Sequence, residues 1–303
     1  MDPWLIVFGF GVGALVGATG MGGGSLMTPL LILLFGIKPV VAVGSDLAYA
    51  AITKTAGGWL HLRKGTVQTS LAWWLAAGSC PGAILGVVML ERLGLDDVLL
   101  PLISGALLLT GALVLLRSLV SSGANERDTV PLQARHKLAA VVLGAVVGFV
   151  LGLTSAGSGT LIAIGLILAF RLAPRRVVGT DVFHAAVLLW VAAIAHLFSG
   201  NVDLVLTGTI LIGSLPGVWV GTQLGTRLPE RGLRPALGVV ILAAGLALLT
   251  KSGLDIPAAV IIGVPLVLGA IAFLVLRNSP PKSPLIARTE SASTDHRRIR
   301  TDP

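Results

Sequence analysis

The chain has 303 residues, of which 54% are hydrophobic and 12% charged, with 39 glycines and a mean hydropathy of +0.92. Soluble globular domains carry about 25% charged residues, so a soluble fold is excluded. The formal charge of +8 invites a nucleic-acid partner, but the basic residues sit in short loops and a tail rather than along one solvated face, and they read as topology signals.

The N-terminus, Met1-Asp2-Pro3-Trp4, shows neither a basic leader nor a cleavage site, so the first apolar run is expected to stay in the mature protein. Apolar runs then follow at 4–18, 26–36, 40–60, 69–90 and 98–116. After a polar linker at 118–137, further runs lie at 138–153, 160–170, 177–197, 204–225, 235–250 and 256–276. They are continuous rather than alternating, and a single Tyr is present, which excludes a transmembrane β-barrel. The long runs match the roughly 20 residues of a spanning helix, and the first two runs of each half are too short to span twice. The lone Cys80 builds neither a disulfide framework nor a zinc site within one chain and reads as a small packing residue. The segment 278–303, rich in Pro, Ser, Thr and Arg, reads as a disordered cytoplasmic tail.

An offset of 135 residues, without a gap, superimposes Gly9–Leu93 on Gly144–Leu228 with 30 identities in 85 positions. Chance would give about a tenth of positions, so the chain is a duplicated unit. Residues 1–117 form unit one, 118–137 the linker, 138–251 unit two and 252–277 an extra transmembrane helix. If each short pair dips in and returns, a unit crosses an odd number of times and the units are inverted; if each pair crosses once, they are parallel. The hairpin arrangement places 18 of the 22 Lys and Arg on one side, among them Arg63, Lys64, Arg171, Arg175 and Arg176. The positive-inside rule then puts the N-terminus outside and the C-terminus in the cytoplasm. The expected fold is an all-α polytopic membrane protein of two inverted repeats. Each is a broken re-entrant helix pair plus three spans, and the parallel arrangement is the alternative.

Between the short runs lie Thr19, Gly20, Gly22, Gly23, Gly24 and Ser25, and in unit two Thr154, Ser155, Gly157, Ser158, Gly159 and Thr160. Non-helical backbone at membrane depth is tolerated only inside protein or along a water-filled cavity. A helix that starts there offers free N–H groups and a positive dipole end. Two such starts form a candidate anion cradle, the pattern that points to a transporter's substrate site. For any single glycine the competing explanation is close helix packing, which is the assignment for Gly78, Pro81, Gly82, Gly86 and their repeats.

Ionisable groups inside spans are costly and usually functional. Asp46, Lys54 and His61 share one face of the third run, and the repeat offers Asp181, His184 and His196. Asp46 and Asp181 are candidate gating or proton-linked groups. Lys54, replaced by Leu189 in the repeat, attracts an anion or balances a carboxylate. His61 and His196 have the alternative of plain helix-end hydrogen bonds. No metal-ligand cluster, cofactor fingerprint or oriented nucleophile is present, so neither a cofactor nor an enzyme is expected.

The Gly-rich break at 20–25, Gly179-Thr180-Asp181-Val182-Phe183-His184-Ala185, His196-Leu197-Phe198-Ser199-Gly200-Asn201-Val202-Asp203 and Gly213-Ser214-Leu215-Pro216-Gly217 together resemble the sulfite exporter TauE/SafE family of bacterial membrane permeases. The resemblance covers roughly residues 5–250. It implies an inner-membrane transporter of small sulfur-containing anions such as sulfite, thiosulfate or sulfoacetate, coupled to protons. A passive anion channel and a permease for another small organic anion are the alternatives. The expected partners are the anion, protons, the bilayer and a second copy of the chain.

Overall fold

The computed structural model describes residues 3–19, 24–119, 127–225 and 230–278. Those residues hold α1 (Pro3–Thr19), α2 (Gly24–Leu34), α3 (Pro39–Arg63), α4 (Thr69–Arg92), α5 (Asp96–Leu119) and α6 (Ala134–Thr154). They continue with α7 (Ser158–Leu168), α8 (Pro174–Phe198), α9 (Leu204–Gly225), α10 (Glu230–Lys251) and α11 (Ala258–Asn278). Every apolar run of the sequence has become its own helix, and the protein is an all-helical polytopic membrane protein. Six of the helices are long and apolar enough to cross a bilayer. Pro39 and Pro174 open α3 and α8, where a missing N–H costs nothing. Gly65 and Gly200, at φ +61° and +73°, turn the chain out of the same two helices.

Glycines set the helix pairing. On α1, Gly9, Gly13 and Gly17 lie against the backbone of Ile210, Ser214 and Val218 of α9, while Gly213, Gly217 and Gly221 lie against Ile6, Phe10 and Ala14. A spacing of four keeps each set on one helix face, and the lack of Cβ atoms lets the backbones touch. The same arrangement recurs 135 residues away. Gly144, Gly148 and Gly152 of α6 meet Leu75, Ser79 and Ala83 of α4, and Gly78, Gly82 and Gly86 meet Val141, Ala145 and Phe149. In both pairs the numbers rise together, so the helices run parallel.

Helices α3 and α8 run antiparallel to each other, as do α5 and α10. Gly44 of α3 meets His196 and Asn201 at the end of α8, Trp190 donates to Thr55 Oγ1 at 2.9 Å, and Gly58 meets Phe183 and Ala186. Likewise Gly111 of α5 meets Gly238 and Leu242 of α10, and Gly245 meets Leu107 and Leu108. Helix α11 packs on α10 and α5 and is the most exposed span, with 11% of its apolar stretch buried.

Three connections gather at one end. The Gln68 side chain, in the α3–α4 turn, bonds both the N–H and the carbonyl of Val130 in the linker. Arg127 N donates to Arg171 O and Ala173 N to Arg127 O, which ties the linker to the α7–α8 turn. Elsewhere Lys251 Nζ, closing α10, donates to Ile32 O near the end of α2 at 2.7 Å.

A bulky residue at a glycine of the α1/α9 or α4/α6 seam has nowhere to go. We expect Gly148→Leu to destabilise the detergent-purified protein by about 3 kcal/mol or more, since even ordinary overpacking costs 1–3 kcal/mol. Gly105→Ala, where an added Cβ meets nothing within 4 Å, should leave thermal stability nearly unchanged. Equal melting temperatures for the two variants would refute the seam.

Candidate functional site

The site begins with the interruption between α6 and α7. Ser155 closes α6 at φ +55° and Gly157 precedes α7 at φ +89°. A left-handed non-glycine residue costs energy, and Ser155 is held there by its side chain. Its Oγ donates to Asp46 Oδ2 at 2.6 Å. Thr28 Oγ1, from the second turn of α2, donates to the same oxygen at 2.7 Å and stands 2.7 Å from Ser155 Oγ. Asp46, Thr28 and Ser155 are all buried, so three elements meet at one carboxylate oxygen. The other oxygen, Asp46 Oδ1, has no hydrogen-bond partner among the described residues.

Asp181, the repeat equivalent of Asp46, has different surroundings. Its Oδ2 lies 3.4 Å from the place a Cβ on Gly159 would occupy, beside the first turn of α7. Lys54 and Arg117 act on it electrostatically. The equivalents of Thr28 and Ser155 are Ala163 and Gly20, neither of which has a hydroxyl to offer. The carboxylates therefore occupy opposite poles of one helix break. Asp46 touches Ser155, which caps α6 at that helix's negative end, and Asp181 stands beside the positive start of α7.

His184, one turn beyond Asp181, is buried with Nε2 2.8 Å from Ser79 Oγ, and it also feels Lys54. Its equivalent is Tyr49, buried beside Ser214, which is the equivalent of Ser79. His196 Nε2–H donates to Gly152 O at 2.8 Å in the last turn of α6 and so supports the break.

Among the expected site residues, Gly20, Gly22 and Gly23 lie outside the described residues, as do the side chains of Thr19 and Ser158. Gly24 opens α2, and Ser25 is half-buried in its first turn. Thr154 donates back to Val150 O and accepts from Ala156 N, while Thr160 is buried in the first turn of α7. Lys54 is half-buried and joins the Asp181–His184 group. His61 stands apart: 15 residues beyond Asp46, about 22 Å along the helix, its Nδ1 meets Thr66 Oγ1 at 2.9 Å in the α3–α4 turn. Thr53, from the same polar face, turns back onto the carbonyls of Tyr49 and Ala50. Thr28, Tyr49, Ser79 and Ser214 were missed as site residues. The 135-residue offset pairs Tyr49 with His184 and Ser79 with Ser214, and that was the available signal.

The model for the sulfite exporter TauE/SafE family matches residues 5–248. The chain belongs to the TauE/SafE family. It is similar to the probable membrane transporter protein YjnA of Bacillus subtilis (strain 168), with 38% identity over 256 residues that cover 82% of this chain and 100% of the relative. It is also similar to the probable membrane transporter protein YdhB of the same organism, 30% identical over 245 residues covering 81% and 99%. No solved structure matches. As a TauE/SafE protein the chain is a multi-pass membrane transporter, and the breaks and buried polar groups are to be read in that light.

The shared oxygen makes a stability prediction. Ser155→Ala strips a buried carboxyl of one donor and should cost about 1–3 kcal/mol in thermal unfolding of the purified protein, whereas the exposed Ser70→Ala should cost nothing measurable. A Ser155→Ala protein as stable as the parent would contradict the contact.

Proposed function

We propose that this TauE/SafE protein is a proton-coupled secondary transporter of a small sulfur-containing anion, sulfite or an organosulfonate such as sulfoacetate. The anion binds between the two Gly-rich breaks, and access alternates between the two sides of the membrane. The observation that carries the reading is the α7 start. In its first turn Gly159 lies beside Asp181 Oδ2, and Lys54 and Arg117 act electrostatically on that carboxylate. Helix N-termini are natural anion sites, and discontinuous helices in both halves of a transporter frame its substrate. A carboxylate beside the same helix start competes with an arriving anion for that positive end, which suits a proton-linked exchange.

Alternating access requires units of opposite sense, and the helix directions favour that. Helix α9 runs with α1 and reverses from α8 through a short turn, and α8 is antiparallel to α3, so α3 runs with α1. Helix α4 reverses from α3 and runs with α6; hence α1 and α6, the same element of the two units, point opposite ways. For α3 to follow α1 in direction, α2 must return, which supports re-entrant pairs. The linker's bonds to both the α3–α4 and the α7–α8 turns favour the same arrangement, since crossing pairs would put those turns on opposite sides. The basic residues of these connections make that end cytoplasmic, with the N-terminus outside.

Labelled sulfite and sulfoacetate should enter proteoliposomes with saturable kinetics, accelerated by an imposed pH gradient and uncoupled from it in Asp181→Asn. Gly159→Leu, which fills the space before Asp181, should weaken anion binding roughly ten- to a hundredfold, the worth of one or two charge-assisted hydrogen bonds, in a folded protein. Flux that neither saturates nor responds to the gradient would indicate a channel. Absence of flux for every sulfur anion would withdraw the substrate class.

A further inference from the structure

The oxygens of Asp46, Thr28 and Ser155 make three mutual contacts of 2.6, 2.7 and 2.7 Å. At such separations each contact is a hydrogen bond and needs a proton between its oxygens. The two hydroxyls supply two protons. If both point at Asp46 Oδ2, the Thr28–Ser155 contact brings lone pairs together with nothing between them. A third proton, on Asp46 Oδ2, reverses one of the two hydroxyl bonds to that oxygen and completes a ring in which every oxygen donates once and accepts once.

The surroundings agree. Asp46 is 0% exposed and its Oδ1 lacks a partner, so an ionised carboxylate here would be poorly compensated. It sits at the negative end of α6. From the elements packed on it come the hydroxyls of Thr28 and Ser155 and the backbone N–H of Thr28; the next titratable group on its own helix is Tyr49, and among the described residues no Lys, Arg or His acts on it electrostatically. Asp181, whose Oδ1 likewise lacks a hydrogen-bond partner among the described residues, differs in feeling Lys54 and Arg117 and in having no equivalent hydroxyls.

We propose that Asp46 is the carrier of the coupled proton, bound as a carboxylic acid in a three-oxygen ring with Thr28 and Ser155, and that Asp181 instead serves the anion side of the break. The inference rests on the proton-coupled reading above and divides its two carboxylates between two ligands. Water on one side delivers the proton to Oδ2, and water on the other side takes it away. Loss of the proton removes one edge of the ring that joins α2 of the first unit to the α6–α7 break of the second, so protonation is tied to the fit between units.

Infrared difference spectroscopy of the purified protein, without any transported anion, tests the carrier separately from the substrate. The carbonyl stretch of a protonated carboxylic acid should appear in the parent, disappear in Asp46→Asn and persist in Asp181→Asn. It should move in Ser155→Ala, which alters the ring and keeps the acid, so the test survives a poorly folding Asp46→Asn. In proteoliposomes the ratio of gradient-driven flux to anion exchange should fall roughly tenfold in Asp46→Asn, within the usual range of coupling energies. No acid band in the parent, a band that outlasts Asp46→Asn, or one unmoved by Ser155→Ala would overturn the assignment. A parent that shows the band and carries no sulfur anion would leave the carrier standing and overturn only the substrate reading.

Discussion

A helix that stops inside an apolar bundle leaves carbonyls without donors, and the helix that restarts leaves N–H groups without acceptors. The α6–α7 interruption puts both sets within three residues, Ser155 to Gly157. One pole is negative and the other positive, so the same break can present a cation-seeking and an anion-seeking surface. Side chains from elsewhere respond to each pole: Ser155 bonds Asp46 on one, Asp181 stands against Gly159 on the other, and His196 takes up the carbonyl of Gly152 one turn earlier. Ser79 of α4 lies against Gly148 of α6 in the glycine seam and reaches His184 of α8.

The duplication gives a frame that is symmetric and a site that is not. The seams of α1/α9 and α4/α6 map onto each other residue by residue at the 135-residue offset. So do smaller details: Asp203 N donates to Ser45 Oγ and Gln68 N to Thr180 Oγ1, both at 3.0 Å. At the carboxylates the correspondence ends, because Thr28 and Ser155 have become Ala163 and Gly20. A symmetric frame suits two exchangeable states, while two unlike carboxylates suit two unlike ligands. That combination is what a coupled transporter needs.

Much of this was legible in the sequence for physical reasons. A helix in lipid must be continuous and apolar, so each run from 4–18 to 256–276 marked one helix, and the Gly-rich gaps marked the breaks. Asp46, Asp181 and Lys54 stood out because charge is rare in such runs. What single runs do not encode is which helix lies next to which. Thr28 sits in an apolar stretch, Leu26-Met27-Thr28-Pro29, and nothing local announces that it meets a carboxylate from α3 and a serine from the other unit. His61 shares a helix face with Asp46, and the length of α3 carries it to the turn, where it meets Thr66 through Nδ1. The Tyr49–Ser214 and His184–Ser79 pairs became visible only when the repeat offset was applied to helix contacts as well as to identities.

The central claim is that the paired breaks line one site which faces each side of the membrane in turn. In a Cys80→Ser background, which removes the one cysteine, Ser25→Cys and Thr160→Cys place single thiols at equivalent positions beside the two breaks. Their reaction with a membrane-impermeant thiol reagent is measured in right-side-out and inside-out vesicles, with and without a proton gradient. The account predicts that each thiol reacts from both sides and that reversing the gradient shifts the balance from one side to the other. Thiols that react from one side only under every gradient, or from neither, would contradict it.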